Sequence, residues 1–179
     1  MNTNTKAFLY FNGLILSILL GCSNSETKTD TGDENVQNTS ELQKKINLDT
    51  IPSIQLQENA SKVTEEWMMH IALNSEMERL ADYNLVDILN NAESIDRVVD
   101  SLAISVPEVF ETNAVKARII TLKTHSKLLL EHSKRTEPKP KEVEKLAAKL
   151  KLDFNNLNIQ LNEVFILEEN PIDFSTDSI

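Results

Sequence analysis

The sequence predicts an all-α protein: an antiparallel up-down-up three-helix bundle, with room for a short fourth helix, behind a disordered N-terminal tether. Three observations predict it. Only three glycines occur in 179 residues, which leaves few positions for the tight turns and bulges of β-rich folds or for phosphate-cradling loops. Val143, Ala147, Leu150, Phe154, Leu157, Leu161 and Val164 follow one another at alternating spacings of four and three, the seam of packed helices. Three long apolar patterns are separated by short connections, which makes consecutive helices antiparallel neighbours.

The bundle is expected over residues 46–170, with a tail over 171–179. Residues 46–57 are mildly apolar and broken by Pro52, so they should cross the bundle as irregular chain. The first long helix should start at Ser61, a good N-cap with Glu65 and Glu66 in the following turn, and run to Asn90-Asn91. Val63, Trp67, Ile71, Leu73, Met77, Leu80, Leu85 and Ile88 supply its apolar face. Ile95, Val98, Val99 and Leu102 mark a short amphipathic segment over 93–104. The next helix carries the pattern Ser105-Val106-Pro107-Glu108, which reads as a capping box with proline in the first turn. Two lines of residues, Phe110–Ala114–Ala117–Thr121–Thr124–Leu128 and Val115–Ile119–Leu122–Ser126–Leu129, predict a wide buried face. His132, Lys134 and Arg135 place positive charge where the helix dipole favours it, and Glu137-Pro138-Lys139-Pro140 breaks the chain. The third helix starts near Pro140 and ends at Asn170-Pro171. Leu146, Ile159 and Phe165 widen its seam, with Lys145, Lys149, Asn155, Asn156 and Asn162 expected opposite.

Ahead of the bundle, residues 23–45 are rich in Ser, Thr, Asn, Asp and Glu, with Val36 and Leu42 as the only apolar side chains. Such a stretch buries too little surface to offset chain entropy and reads as a disordered acidic tether. The chain opens with Lys6 and an apolar run from Phe8 to Gly21 that ends Leu19-Leu20-Gly21-Cys22. At 14 residues this run fits a signal-peptide core and falls short of the 20 or so that span a bilayer. Over residues 1–22 it resembles the lipobox signal peptide of bacterial lipoproteins, although Leu20 replaces the smaller residue usual before Gly21. The resemblance implies cleavage after Gly21, so that 1–21 is removed, and attachment of diacylglycerol to the Cys22 thiol with acylation of its amine. An ordinary signal peptide with an incidental cysteine is the alternative. Glu26, Asp30, Asp33 and Glu34 resemble the surface-export signal of Bacteroidota lipoproteins, interrupted by Lys28; a plain solvated spacer reads them equally well. Residues 106–134 and 154–165 loosely resemble small uncharacterised helical lipoproteins of that group.

Charge and cysteine content narrow the function classes. The net charge of -10 repels phosphate backbones, so nucleic acid is not an expected partner. It also repels anionic lipid, leaving covalent acyl chains as the expected hold on a membrane. Cys22 is the single cysteine, so no disulfide forms within the chain. Localisation is expected in the bacterial cell envelope, on the periplasmic or surface-exposed side of the outer membrane.

Chemistry-bearing motifs are sparse. No G-x-S-x-G, H-E-x-x-H or C-x-x-C-H occurs, and the residues three before His70, His125 and His132 are Trp67, Leu122 and Leu129, not the Glu of di-iron bundles. No cofactor is expected, and neither catalytic nor metal-ligating residues are assigned. Trp67-Met68-Met69 puts three large apolar groups in a row, which cannot all face one core, and Arg118 stands among Val115, Ile119 and Leu122. These four are candidates for a partner-binding surface, although buried packing with a paired or snorkelling arginine accounts for them as simply. The expected protein is a non-catalytic, membrane-anchored helical bundle working through contacts with an envelope protein. A small-ligand or metal-binding bundle is the first alternative and an envelope enzyme the second.

Overall fold

The computed structural model describes residues 40–169, all within one unit, Asn35–Ile179. Cys22, the apolar run before it, the tether up to residue 39 and the tail expected over 171–179 lie outside the described residues. The described chain forms α1 (Glu58–Thr64), α2 (Met68–Arg79), α3 (Leu85–Ile104), a 3-10 turn (Glu108–Phe110), α4 (Asn113–Ser133) and α5 (Pro140–Glu169). Among the described residues the only β-type pairing is an isolated antiparallel bridge between Lys45 and Asn84.

The predicted first helix, Ser61 to Asn90-Asn91, is in fact three pieces. α1 starts earlier, with Gln57 in the N-cap position. Trp67 leaves helical geometry at φ -91°, ψ 84°, a bend that turns its ring into the core, where it is 3 % exposed. Asn84 then restarts the helix with a reciprocal capping box: its Oδ1 accepts from the Asp87 N–H at 2.9 Å, and its own N–H donates to the Asp87 carboxylate at 3.1 Å. Asn90 and Asn91 therefore lie inside α3, and residues 93–104 are its second half, not a separate fourth element.

The capping box expected at Ser105–Glu108 does not form either. Ser105 is the tail of α3, its hydroxyl donating to Ser101 O at 2.8 Å while accepting the Trp67 indole N–H at 3.0 Å. The chain needs the next few residues to sink Phe110, which is fully buried and meets Phe165 edge-on. α4 starts only at Thr112, whose hydroxyl accepts the Val115 N–H at 3.2 Å.

Three long helices make the core. α3 pairs with α4 through Asp96–Lys127 at 2.7 Å and Asp100–Lys123 at 2.9 Å. One number rises as its partner falls, so the two run antiparallel. A six-residue connection over 134–139 returns the chain as α5, which packs along both α4 and α3. The α5 seam is buried throughout, from Val143 to Val164. α4 buries a single line, Val115, Ile119, Leu122, Ser126 and Leu129. Of the other expected line only Phe110, in the 3-10 turn, is buried: Ala114, Ala117, Thr121 and Thr124 are exposed and Leu128 is 39 % exposed. α4 touches the bundle on one side, so half its apolar pattern meets water.

Candidate functional site

Asparagine in mid-helix is a weak helix former and normally faces solvent. α5 reverses that expectation: Asn155, Asn158 and Asn162 are all under a tenth exposed. Leu152, Ile159 and Ile166, at seven-residue intervals on the same helix, are 40 to 50 % exposed. The expected placement of Asn155 and Asn162 on the water side and of Ile159 in the seam is thus corrected. The reason is the segment before α1. Residues 52–57 form no helix and lie along α5 as an extended strap, whose unpaired main-chain groups need partners once covered. The asparagine amides supply them.

The pairing repeats. Asn155 donates from Nδ2 to Pro52 O at 2.7 Å and accepts at Oδ1 from the Ile54 N–H at 3.3 Å. Asn162 donates to Gln55 O at 3.1 Å and accepts from the Gln57 N–H at 2.8 Å. The same two-bond clamp recurs three strap residues and seven helix residues later. Three residues of polyproline II chain advance about 9.3 Å and seven of α-helix about 10.5 Å, so the two periods nearly match. Gln57, at φ -75° and ψ 162°, has that conformation. Between the clamps, Asn158 donates to Ile54 O at 3.3 Å. Lys151 extends the row to Leu48 O at 3.3 Å. The expectation that residues 46–57 cross the bundle as irregular chain agrees with this arrangement. Order begins a little earlier than the expected tether boundary at residue 45, since Leu42 packs on the core and Lys44 O accepts the Leu85 N–H.

Asn158 is held in turn by His70 of α2, whose Nε2 lies 2.8 Å from its Oδ1. An amide oxygen only accepts, so this contact assigns the proton to Nε2. His70 is 5 % exposed and sits between the rings of Trp67 and Phe154, with centroids 5.6 and 5.2 Å away. Burial pushes its pKa below the usual histidine value, and the Asn158 hydrogen bond opposes that shift. The imidazole is therefore neutral at pH 7. Beside it opens a cleft of about 420 Å³ lined on one wall by the strap, Ser53 to Leu56, and on the other by Ile71, Asn74, Met77 and Glu78 of α2. Sequence reasoning pointed to His70 as a place for a cavity but missed its partners, because Asn158 and Ile54 are far from it in the chain and no local spacing links them.

A second polar cluster joins α4 to α5. His125 Nδ1 is paired with the Asp153 carboxylate, and Lys149 Nζ lies 3.3 Å from the other ring nitrogen. His125 on α4 and Asp153 and Lys149 on α5 thus link the two helices. Glu76 Oε2 and His132 Nδ1 are buried without a hydrogen-bond partner among the described residues. No group of three or more His, Cys, Asp or Glu is placed to hold a metal ion among the described residues.

The four residues singled out for partner binding separate. Trp67 is buried; Met68 is 66 % exposed; Met69 packs partly against the core; Arg118 is exposed on α4. Of the apolar trio, then, Met68 is the one that faces water. Cys22, the proposed lipid attachment point, is outside the described residues. No helix among the described residues is long and apolar enough to cross a membrane. No protein-family model, curated protein or solved structure matches the chain.

Proposed function

We propose that this chain is a lipid-anchored protein of the bacterial envelope whose helical domain is non-catalytic and works through protein contacts. The observation that carries the reading is the run Phe8–Gly21 closed by Leu19-Leu20-Gly21-Cys22, with that cysteine the only thiol in the chain. Acylation at one residue suffices as an anchor, because each buried methylene contributes about 0.8 kcal/mol and two or three chains hold durably. Two features of the domain support a contact role. α5 reads another segment's main chain through its asparagines, and it exposes an apolar line at Leu152, Ile159 and Ile166. Growing a bacterial expression strain with an alkyne palmitate analogue and fractionating its membranes tests the anchor. The full chain should take up the label and sediment with membranes, and Cys22→Ser should do neither. An unlabelled parent chain, or a Cys22→Ser chain that still sediments, contradicts the reading.

The cleft beside His70 favours a second reading, a small-ligand-binding bundle. Its half-apolar walls and one buried, neutral imidazole are the kind of lining that orients a small molecule. A thermal-shift screen of the full chain against divalent metals and small organic ligands tests it. A stabilisation that His70→Gln abolishes supports this reading, and a flat response across the screen sinks it.

A further inference from the structure

We propose that the asparagine row of α5 is a binding track for an extended polypeptide segment of a partner protein, and that the strap over residues 52–57 is its resident, exchangeable occupant. The proposal names the kind of partner for the contact role above and so rests on that role, though not on the lipid anchor.

The track recognises main chain. Five of its six asparagine bonds go to strap backbone atoms, Pro52 O, Ile54 N, Ile54 O, Gln55 O and Gln57 N, and the sixth joins Asn158 to His70. Strap side chains contribute little, since Pro52, Ser53, Gln55 and Gln57 are exposed and only Ile54 and Leu56 are half-buried. An amide that accepts one N–H and donates to a carbonyl two residues earlier fits any extended chain whose donor positions are not proline. A helix or hairpin does not fit, because its main-chain groups are already paired. The three-residue repeat of the clamp selects polyproline II geometry, which exposes its carbonyls and N–H groups with no internal bonds. The favoured ligand is therefore an extended segment with apolar side chains two residues apart, as Ile54 and Leu56 are.

The strap has the marks of an occupant that can leave. It runs between the buried Ile46–Leu48 stretch on one side and α1 on the other, and among the described residues its one main-chain bond to a helix is the Ser61 N–H to Gln57 O bond that starts α1. Ser53 and Leu56 form no hydrogen bond with any described residue. Its outer edge borders the 420 Å³ cleft, so an incoming chain has a place to land beside it. If the strap lifts, Asn155 and Asn162 each lose two main-chain bonds and Asn158 loses one while keeping His70, and another extended main chain can restore all five.

The test is trans complementation in the full chain. A tethered strap competes at an effective concentration in the millimolar range, so the wild-type chain should bind a fluorescent peptide of sequence Thr50–Glu58 poorly. Ile54→Pro, which removes the N–H given to Asn155, should weaken the strap and raise the affinity for that peptide by about tenfold or more, read as anisotropy. Leu56→Gly is the companion variant, since it loosens the strap without touching any track bond, and far-UV circular dichroism confirms that either chain is folded. A peptide methylated on the nitrogens corresponding to Ile54 and Gln57 should not bind. Adding Asn155→Ala and Asn162→Ala should abolish binding of the parent peptide. Equal binding of the methylated peptide, or no binding to either folded strap variant, overturns the proposal. Reciprocal strap exchange, seen as a dimer of the variants in light scattering that the peptide fails to dissolve, also overturns it, because the occupant would then be a second copy. Each arm is repeated on Cys22→Ser, so a failure of the track is separate from a failure of the anchor.

Discussion

α5 has two buried faces built from opposite chemistry. On one, Val143, Ala147, Leu150, Leu157, Leu161 and Val164 pack against α4 and α3 with no polar side chain among them. On the other, Asn155, Asn158 and Asn162 are as deeply buried but meet main chain instead of methyl groups. The apolar face contributes stability by area removed from water and tolerates similar shapes. The amide face contributes little net energy per bond but is costly to leave unmatched, so it specifies what lies on it. One face builds the bundle, and the other fixes the strap on it.

The largest effect should come from the apolar face. Leu157→Asp puts a carboxylate into a fully buried position and should cost more than about 4 kcal/mol, enough to unfold a domain of this size. A cooperative melt like the parent's would show that the seam is misplaced. Next comes Asn158→Ala, which strands both the His70 N–H and Ile54 O; a loss of about 3 kcal/mol by urea titration is expected. Asn155→Ala should cost less, about 1–2 kcal/mol, because the strap carbonyl of Pro52 can turn to water.

These faces were not equally legible in the sequence. The seam was, because seven apolar residues at alternating spacings of four and three rarely arise outside packed helices. The amide face was not: asparagine is assigned to the water side by its average behaviour, and only a chain segment a hundred residues away makes Asn155, Asn158 and Asn162 interior. The same blindness placed Ile159 inside, since alternate apolar lines on one helix look alike until their neighbours are known. Helix starts divided in a similar way. Ser105-Val106-Pro107-Glu108 has the better local pattern, yet burial of Phe110 overrides it, while Asn84 and Thr112 cap without advertisement. Asn84→Ala should therefore cost about 1 kcal/mol and Glu108→Ala within about 0.5 kcal/mol, a difference that chemical denaturation of the pair resolves.

The amide face should also respond to acid. His70 has a folded pKa below its unfolded value, so the unfolded chain binds a proton first as pH falls. Stability from this residue is complete above about pH 6.5, declines as pH drops below it, and levels off beneath the folded pKa. The decline cannot exceed about 1.4 kcal/mol per pH unit for one proton. His70→Gln should flatten the profile between pH 7 and the plateau; an unchanged slope would assign the titration elsewhere. Asp100, held below the usual carboxylate range by Lys127 and Lys123, acts only at lower pH, where its contribution disappears as pH falls through its folded pKa. Smallest of all, Ile159→Ser on the exposed line should shift stability by within about 0.5 kcal/mol.

Amide hydrogen exchange across the strap tests the clamp most directly. The account predicts protection at the Ile54 and Gln57 N–H groups, which asparagine side chains accept, beside fast exchange at Ser53 and Leu56. Uniformly fast exchange at all four, in a chain whose α5 amides stay protected, would contradict it.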